Sequence, residues 1–364
     1  MPDRRPVRGF PAAAPAGQRR GEAGPGSQAH RARLARVVPA AARRILTGRP
    51  VRWAFGAAAV AIGSYAVARQ WPGVRAALAG IGVPTVAAAM VTVLIAMVAA
   101  MQVWRLMLAA LGSPLPVRTA ARILFVGQLG KYLPGSVWPV LAQMELGTAH
   151  GVPRHHSAGA SVLTTFVSLL SGLLTALVTL PFVARPAPYL WAVLAGPVLL
   201  GCLHPRVLNA MLVRLFRLTR RPPLDRPLTA WAVAGALAWS FGAWICYGLQ
   251  IWLLTTQLGA PRGMAVLVAL GGFALAWCVG FLAVFAPAGA GAREVVLAAL
   301  LSPIVGAGAA TAVALVSRGL TTAGDLLTAA AASACLPARP RRSRTAAPDH
   351  LANPGNPVAR GNRP

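Results

Sequence analysis

Apolar residues occur in long blocks along most of the chain. They cover 53–68, 84–111, 158–183, 189–204, 228–257, 264–286, 290–304 and 309–335. A membrane-spanning helix needs about 20 predominantly apolar residues, so a buried soluble core could explain one such block but not the whole series. The blocks also lack the polar alternation of outer-membrane strands. The pattern therefore predicts an all-α, polytopic integral membrane protein with about eight transmembrane helices.

Two of the apolar segments are interrupted by helix-breaking residues. The first, 118–147, is broken at "YLPGSVWP", where Pro134 should end one half-helix and Gly135 adds flexibility. Ser136 is then a candidate N-cap for a second half-helix that starts near Val137. We expect this segment to enter and leave the membrane as a re-entrant hairpin rather than to cross it.

The second broken segment, 281–302, contains "FAPAGAGARE". Gly289 and Gly291 should loosen the chain before Arg293 and Glu294 open a helix. Broken apolar segments at matching places in two halves form a pseudo-repeat, which is typical of the binding site of a transporter. We expect 290–304 to cross the membrane, because an even number of spans returns both chain ends to one side.

A polar stripe follows each break on a long apolar helix. After the first break, Thr164, Ser168, Ser171 and Thr175 share one helical face; after the second, Arg318 and Asp325 do so, with Thr321 or Thr322 between them. Half-helix N-termini attract anions, and the stripes could line a path for a polar headgroup.

The chain has 364 residues and a net charge of +28, but only 12% of its residues are charged. The arginines cluster in 1–52, in the loop expected at 204–227 and in the last residues, which is the positive-inside pattern and is better explained by topology than by nucleic-acid binding. We therefore predict a plasma-membrane protein with both termini cytoplasmic. Residues 1–50 and 337–364 are expected to be disordered basic tails around a transmembrane domain at 51–336.

Ionisable residues within or beside the apolar segments concentrate on the two breaks and the last helix. They are Lys131, Glu145, Arg293, Glu294, Arg318 and Asp325. Charges at membrane depth are costly and indicate function by default, although Lys131 could also reach the interface by snorkelling. Glu145 and Asp325 are candidates for a charge pair or a relay. Arg318 could pair with Asp325 or with Glu294, and Glu294 could equally be a first-turn dipole residue. The four cysteines lack metal-ligand spacing, so we expect no metal site and no cofactor.

The two broken segments, "GQLGKYLPGSVWPVLAQ" and "FAPAGAGAREVVLAALL", together resemble the lysylphosphatidylglycerol synthase transmembrane-region family of flippase-like proteins. The first motif matches at 131–138. The second matches at Pro287, Gly289, Gly291, Arg293 and Glu294, with Ala288 where glycine is usual, and Arg318 resembles a later arginine of the family. The likeness covers roughly 50–335. It implies headgroup or phosphate contacts from Lys131, Tyr132, Pro134, Gly135, Ser136, Gly289, Gly291, Arg293, Glu294 and Arg318.

The chain also departs from the family pattern in the long helix after the first break, and we expect it to lack the soluble domain of the full-length synthases. It reads Thr164-Thr165-Phe166 where relatives often carry Glu-Arg, so a charged pair that serves the first half is missing. Only a short basic stretch rich in proline and arginine follows Ala338, so we expect the soluble aminoacyl-transferring domain to be absent. The resemblance therefore implies the lipid-translocating half without the tRNA-dependent synthetic half, and no enzymatic activity.

The leading hypothesis is a lipid translocase or lipid-binding protein. Its partner would be an anionic phospholipid, aminoacylated or not, or a polyprenyl-phosphate-linked lipid, and a separately encoded glycosyltransferase or lipid-modifying enzyme could supply that lipid. A membrane glycosyltransferase is an alternative, but the loop "RQWPGVRAALAGIGVP" holds no carboxylate for such chemistry. The second alternative is a proton-coupled transporter of small solutes, with Asp325 or Glu294 as the proton relay.

Overall fold

A computed structural model describes residues 68, 71–132, 137–182, 189–218, 227–283 and 287–334. These residues hold eleven α-helices and no strand, as the apolar pattern predicts. The helices are α1 (Trp71–Gly80), α2 (Val83–Ala110), α3 (Val117–Gln128), α4 (Trp138–Thr148), α5 (Arg154–Thr179), α6 (Tyr189–Cys202), α7 (Pro205–Leu218), α8 (Ala230–Gln257), α9 (Arg262–Leu282), α10 (Ala292–Val305) and α11 (Ala307–Ala334). The expected tails at 1–50 and 337–364 lie outside the described residues.

Proline and threonine mark where several helices begin. Pro84 and Pro139 lie in the first turns of α2 and α4, where the missing amide hydrogen costs nothing. Thr229 caps α8, because its side-chain oxygen accepts a hydrogen bond of 3.2 Å from the Ala232 amide. The helix boundaries therefore follow local chemistry in the sequence.

Four of the described helices are long and apolar enough to cross a membrane, namely α2, α5, α8 and α9. A fifth span results if Ala195–Cys202 and Pro205–Leu218, which are bent by 57° to each other, count as one. Helix α11 has 28 residues, but Arg318, Asp325 and several threonines make it less apolar than these. The chain is thus a multi-pass membrane protein, while the figure of eight spans stays a prediction.

Of the expected spans, the first cannot be compared with the structure, and the one at 290–304 is short. The first block, 53–68, lies almost entirely outside the described residues. Helix α10 has 14 residues, about 21 Å at 1.5 Å per residue, which is shorter than a hydrocarbon core of about 30 Å. The length of α10 therefore does not support the crossing that we expected at 290–304.

The loop expected at 204–227 contains the helix α7 instead. Leu208, Leu212 and Phe216 are four residues apart and buried on one side of this helix, whereas Arg206, Arg214 and Arg217 are exposed. An apolar stripe at this spacing stabilises an amphipathic helix against the rest of the fold. Arg206, Arg214 and Arg217 therefore form the exposed side of that helix, while the other arginines of the cluster, in 219–226, lie outside the described residues.

The two halves of the fold share one order of elements. In the first half, α2 leads to α3, a short 3-10 turn at Leu129–Tyr132, α4 and α5; in the second, α8 leads to α9, a turn at Pro287–Gly289, α10 and α11. Helices α2 and α8 pack against each other, and each carries fully buried side chains, among them Met107 on α2 and Ile251 and Leu254 on α8. This arrangement brings the two broken segments together.

Each broken segment is a hairpin of two packed helices. In the first, Gly130 lies so close to α4 that a Cβ atom there would be 2.9 Å from the Pro139 nitrogen. In the second, Gly280 in α9 lies beside Gly289 and Arg293 across the turn. The turns at the tips of the two hairpins contact each other, and both contact α11 or residues on it.

Candidate functional site

The first break places Lys131 and Tyr132 in the interior. Helix α3 ends at Gln128, and the 3-10 turn that follows carries both residues. Helix α4 begins at Trp138 with Val137, rather than Ser136, at the N-cap position and without a side-chain cap, since Pro139 already presets the first turn. Pro134, Gly135 and Ser136 lie outside the described residues.

Asp325 binds both residues of the first turn from the last helix. Lys131 Nζ lies 2.6 Å from Asp325 Oδ2, and the Tyr132 hydroxyl donates a hydrogen bond of 2.6 Å to the same oxygen. The Asp325 side chain is 10% exposed and that of Lys131 is 33% exposed. A carboxylate at this depth needs such partners, because burying an unpaired charge is costly. The contact joins the first half of the fold to α11.

The second break is tied to the same helix by Arg318. Its Nη1 donates a hydrogen bond of 2.9 Å to the carbonyl oxygen of Ala288, and its Nε lies 3.6 Å from Glu294 Oε1. The latter distance makes an ion pair but no hydrogen bond. Arg318 therefore pairs with Glu294, and Asp325 pairs with Lys131, which decides between the pairings that the sequence left open.

Glu294 acts mainly within its own helix. Its Oε2 accepts a hydrogen bond of 2.7 Å from the amide of Gly291, the N-cap residue of α10. A carboxylate at this position satisfies a free amide and complements the helix dipole. Because Glu294 occupies the Gly291 amide, that amide is not available to a ligand.

Arg293 has no charged partner among the described residues. Its guanidinium carbon lies over the ring of Phe273, 4.4 Å from the ring centroid, and its Nη2 is buried without a hydrogen-bond partner. Stacking on an aromatic face stabilises a guanidinium but leaves its N–H groups unsatisfied. The Nη2 of Arg293 is therefore available to donate a hydrogen bond to an acceptor that a ligand brings.

These groups surround a cavity of about 550 Å³ at the centre of the fold. Its wall combines the two hairpins with α2, α5, α8 and α11. The charged lining residues are Lys131, Arg293, Arg318 and Asp325. Of the residues predicted from the sequence, Tyr132 and Gly289 also line the cavity, whereas Gly291 and Glu294 stand behind it.

The polar stripe of α5 divides between the cavity and the core. Thr164 and Ser168 line the cavity, and the Thr164 hydroxyl is buried without a partner in the described structure. Ser171, by contrast, accepts a hydrogen bond of 3.0 Å from Trp244 Nε1 and lies 2.8 Å from the Ser240 hydroxyl. Of the four residues in the expected stripe, two therefore line the cavity, Ser171 joins α5 to α8, and Thr175 bonds to the Ser171 carbonyl within its own helix.

Glu145 is placed away from the cavity. It pairs with Arg154 at 2.9 Å, and both side chains are more than half exposed. An exposed pair of this kind contributes little to stability. The residue predicted as a charge pair or relay is thus a surface charge pair.

Several lining residues escaped the sequence reasoning. Gln128 and Gln143 lie on either side of the first break, one on each helix of its hairpin. Tyr247 and Trp277 belong to an aromatic group with Trp244, Phe273 and Phe281. The two glutamines lie inside the quoted motif, where their polarity in an apolar segment was the available signal. The aromatic residues carry no such signal in the sequence, since aromatic residues are common in apolar helices.

The comparisons with known proteins agree with this architecture. The family model "Lysylphosphatidylglycerol synthase TM region" matches residues 53–329, which is most of the chain. The chain therefore belongs to the lysylphosphatidylglycerol synthase transmembrane-region family, and its role is related to membrane lipid. No curated protein and no solved structure gives a significant match.

Proposed function

We propose that this protein binds the anionic headgroup of a membrane lipid in the central cavity and carries it between the leaflets. The observation that carries the proposal is Arg293, a cation on the cavity wall with a buried, unpartnered Nη2. The lipid is an anionic phospholipid, aminoacylated or not, or a polyprenyl-phosphate-linked lipid. Its phosphate would supply the acceptor that the guanidinium lacks, in the bidentate geometry that arginine favours.

The remaining wall suits the other parts of such a ligand. Thr164, Ser168 and Gln143 offer hydrogen bonds to a polar headgroup, while Trp277 and Phe281 extend an aromatic wall along α9. Phe281 is 41% exposed, so this wall runs from the cavity to the outer surface of the helix bundle. An acyl or polyprenyl chain could leave the cavity along it and remain in lipid.

The alternative enzymatic function has less support. Asp325 is the one carboxylate among the described residues that line the cavity, and Lys131 and Tyr132 already hold it. A glycosyltransferase needs a carboxylate free to act as base or metal ligand.

The proposal is tested with the full chain reconstituted into phosphatidylcholine vesicles that contain fluorescent phosphatidylglycerol. The wild-type protein should expose inner-leaflet label to a membrane-impermeant reductant, and Arg293→Gln should reduce this to the level of protein-free vesicles. Arg154→Gln removes an arginine from the exposed surface pair and should behave as wild type. If Arg293→Gln is as active as wild type at equal incorporation, the proposal is wrong.

Lipid binding is measured separately, by native mass spectrometry of the same variants in detergent. Lipid retained by the wild type and lost in Arg293→Gln, without movement in vesicles, would support binding alone and reject translocation. The membrane location with both termini cytoplasmic is part of the proposal, supported by the exposed arginines of α7. Reporter fusions at each end of the chain test it.

A further inference from the structure

The charged groups around the cavity are almost fully paired with each other. Lys131 pairs with Asp325 at 2.6 Å, and Arg318 pairs with Glu294 at 3.6 Å. Arg293 alone of these five has no ion pair in the described part of the chain. Three cations and two carboxylates leave a single uncompensated positive charge.

The undescribed residues of the two breaks do not alter this balance. Positions 133–136 read Leu-Pro-Gly-Ser, and positions 284–286 read Val-Phe-Ala, so neither segment holds an ionisable side chain. Arg318 repels both Lys131 and Arg293, and Asp325 attracts both, so these groups act as one charge cluster. The cavity is therefore favourable for one added negative charge, and a second would need a cation that is already committed.

We infer that the cavity selects a headgroup with one negative charge, a phosphodiester, over a phosphomonoester or pyrophosphate with two or more. This inference rests on the proposed function and narrows its lipid class. To neutralise a second charge, the ligand would have to displace Asp325 from Lys131 or Glu294 from Arg318. Either exchange leaves a partly buried carboxylate without its partner, which is costly.

The test compares two lipids with identical acyl chains, phosphatidylglycerol and phosphatidic acid, at pH 8. At this pH the phosphomonoester of phosphatidic acid carries close to two negative charges. The purified full chain is incubated with an equal mixture, and the retained lipids are quantified by native mass spectrometry, with phosphatidylcholine as the uncharged reference. We expect phosphatidylglycerol to be retained over phosphatidic acid by about tenfold, the effect of one moderate interaction.

Variants of the Lys131–Asp325 pair change the net charge around the cavity by one unit at a time. Asp325→Asn frees Lys131 and raises the uncompensated charge by one, so the preference should fall by about tenfold or reverse. Lys131→Gln combined with Asp325→Asn restores the original balance and should restore the preference for phosphatidylglycerol. Glu145→Gln removes a carboxylate from the exposed pair with Arg154 and should leave the preference unchanged. Elution as a single peak in size-exclusion chromatography controls for folding.

The outcomes separate this inference from the function on which it rests. If the wild type retains phosphatidic acid as well as phosphatidylglycerol, and Arg293→Gln loses both, lipid binding stands and selection by charge is wrong. Selection by charge is also wrong if a folded Asp325→Asn variant keeps the wild-type preference for phosphatidylglycerol over phosphatidic acid. If neither lipid is retained above phosphatidylcholine, the proposed function itself fails.

Discussion

Lys131 and Asp325 form an ion pair of 2.6 Å that connects the first hairpin turn to the last helix. The Tyr132 hydroxyl bonds to the same carboxylate oxygen, so one side chain of α11 holds two consecutive residues of the first break. Arg318, on the same helix, holds the Ala288 carbonyl of the second break. The two irregular turns therefore depend on α11 for their positions, and the cavity depends on both turns.

Loss of one member of the Lys131–Asp325 pair should destabilise the fold. Lys131→Met leaves the Asp325 carboxylate with the Tyr132 hydroxyl as its hydrogen-bond partner among the described residues, and we expect a loss of about 1–3 kcal/mol, the cost of an unsatisfied buried polar group. The measurement is the free energy of unfolding in mixed detergent and SDS micelles. Lys131→Met with Asp325→Leu should cost less than the sum of the two single substitutions. Strict additivity would show that the pair contributes nothing.

A glycine at position 288 should stabilise the second turn. Ala288 has φ 49° and ψ 29°, in the left-handed region that a side chain disfavours. We expect Ala288→Gly to raise the free energy of unfolding by about 0.5–1 kcal/mol, since relief of this strain exceeds the entropy cost of glycine.

Ala290→Gly is the matched control for this substitution. Ala290 lies two residues further along the same turn and does not have a positive φ. With no strain to relieve, the added flexibility of glycine should lower stability by about 0.5–1 kcal/mol. If both substitutions change stability in the same direction, strain at Ala288 is not the cause.

The long helices of this fold could be predicted from the sequence, because each apolar block from 84 onward contains one helix of the described structure. The blocks at 84–111 and 228–257 differ from the observed α2 and α8 by at most two residues. The sequence analysis did not predict helix α7, because it treated the arginines of this segment as a loop signal. The buried side of the helix, Leu208, Leu212 and Phe216, accounts for only three of its fourteen residues. A cluster of charges indicates which surface is exposed to water, but it does not decide whether the segment is helical.

The partners within the site could be predicted only in part. Lys131, Arg293, Arg318 and Asp325 could be recognised from the sequence as interior residues, because charged residues within apolar segments are rare. The pairing of Lys131 with Asp325, and the ring of Phe273 beneath Arg293, depend on how distant helices pack. Spacing along one helix contains no information on a partner in another, so these contacts required the structure.

Ser171 is expected to be more important for stability than for ligand binding. Its hydroxyl accepts from Trp244 Nε1 and lies beside the Ser240 hydroxyl, so it joins α5 to α8. Ser171→Ala leaves the buried indole N–H without its acceptor and should cost about 1–3 kcal/mol of unfolding free energy. Ser333→Ala, whose hydroxyl bonds to the Ala329 carbonyl in its own helix, should cost little. Equal effects of the two would contradict the joining role of Ser171.

Water-filled access to the cavity can be tested with cysteine substitutions on α5. Ser168 lines the cavity, whereas Ala160, two turns earlier, is fully buried. In a chain whose four cysteines are replaced by alanine, Ser168→Cys should react with a water-soluble maleimide. Ala160→Cys should react about 100-fold more slowly, because a buried thiol is labelled only through local opening of the structure.

The same labelling reaction reports whether lipid occupies the cavity. Phosphatidylglycerol in mixed micelles should slow the labelling of Ser168→Cys, since a bound headgroup would lie between this position and the entering reagent. Phosphatidylcholine at equal concentration should not slow it, because its net charge is zero and Arg293 would gain no uncompensated anion. Protection should also disappear when Arg293→Gln is added to Ser168→Cys. Equal protection by both lipids would mean that micelles shield the thiol without the arginine, and the anion-binding role of Arg293 would then be wrong.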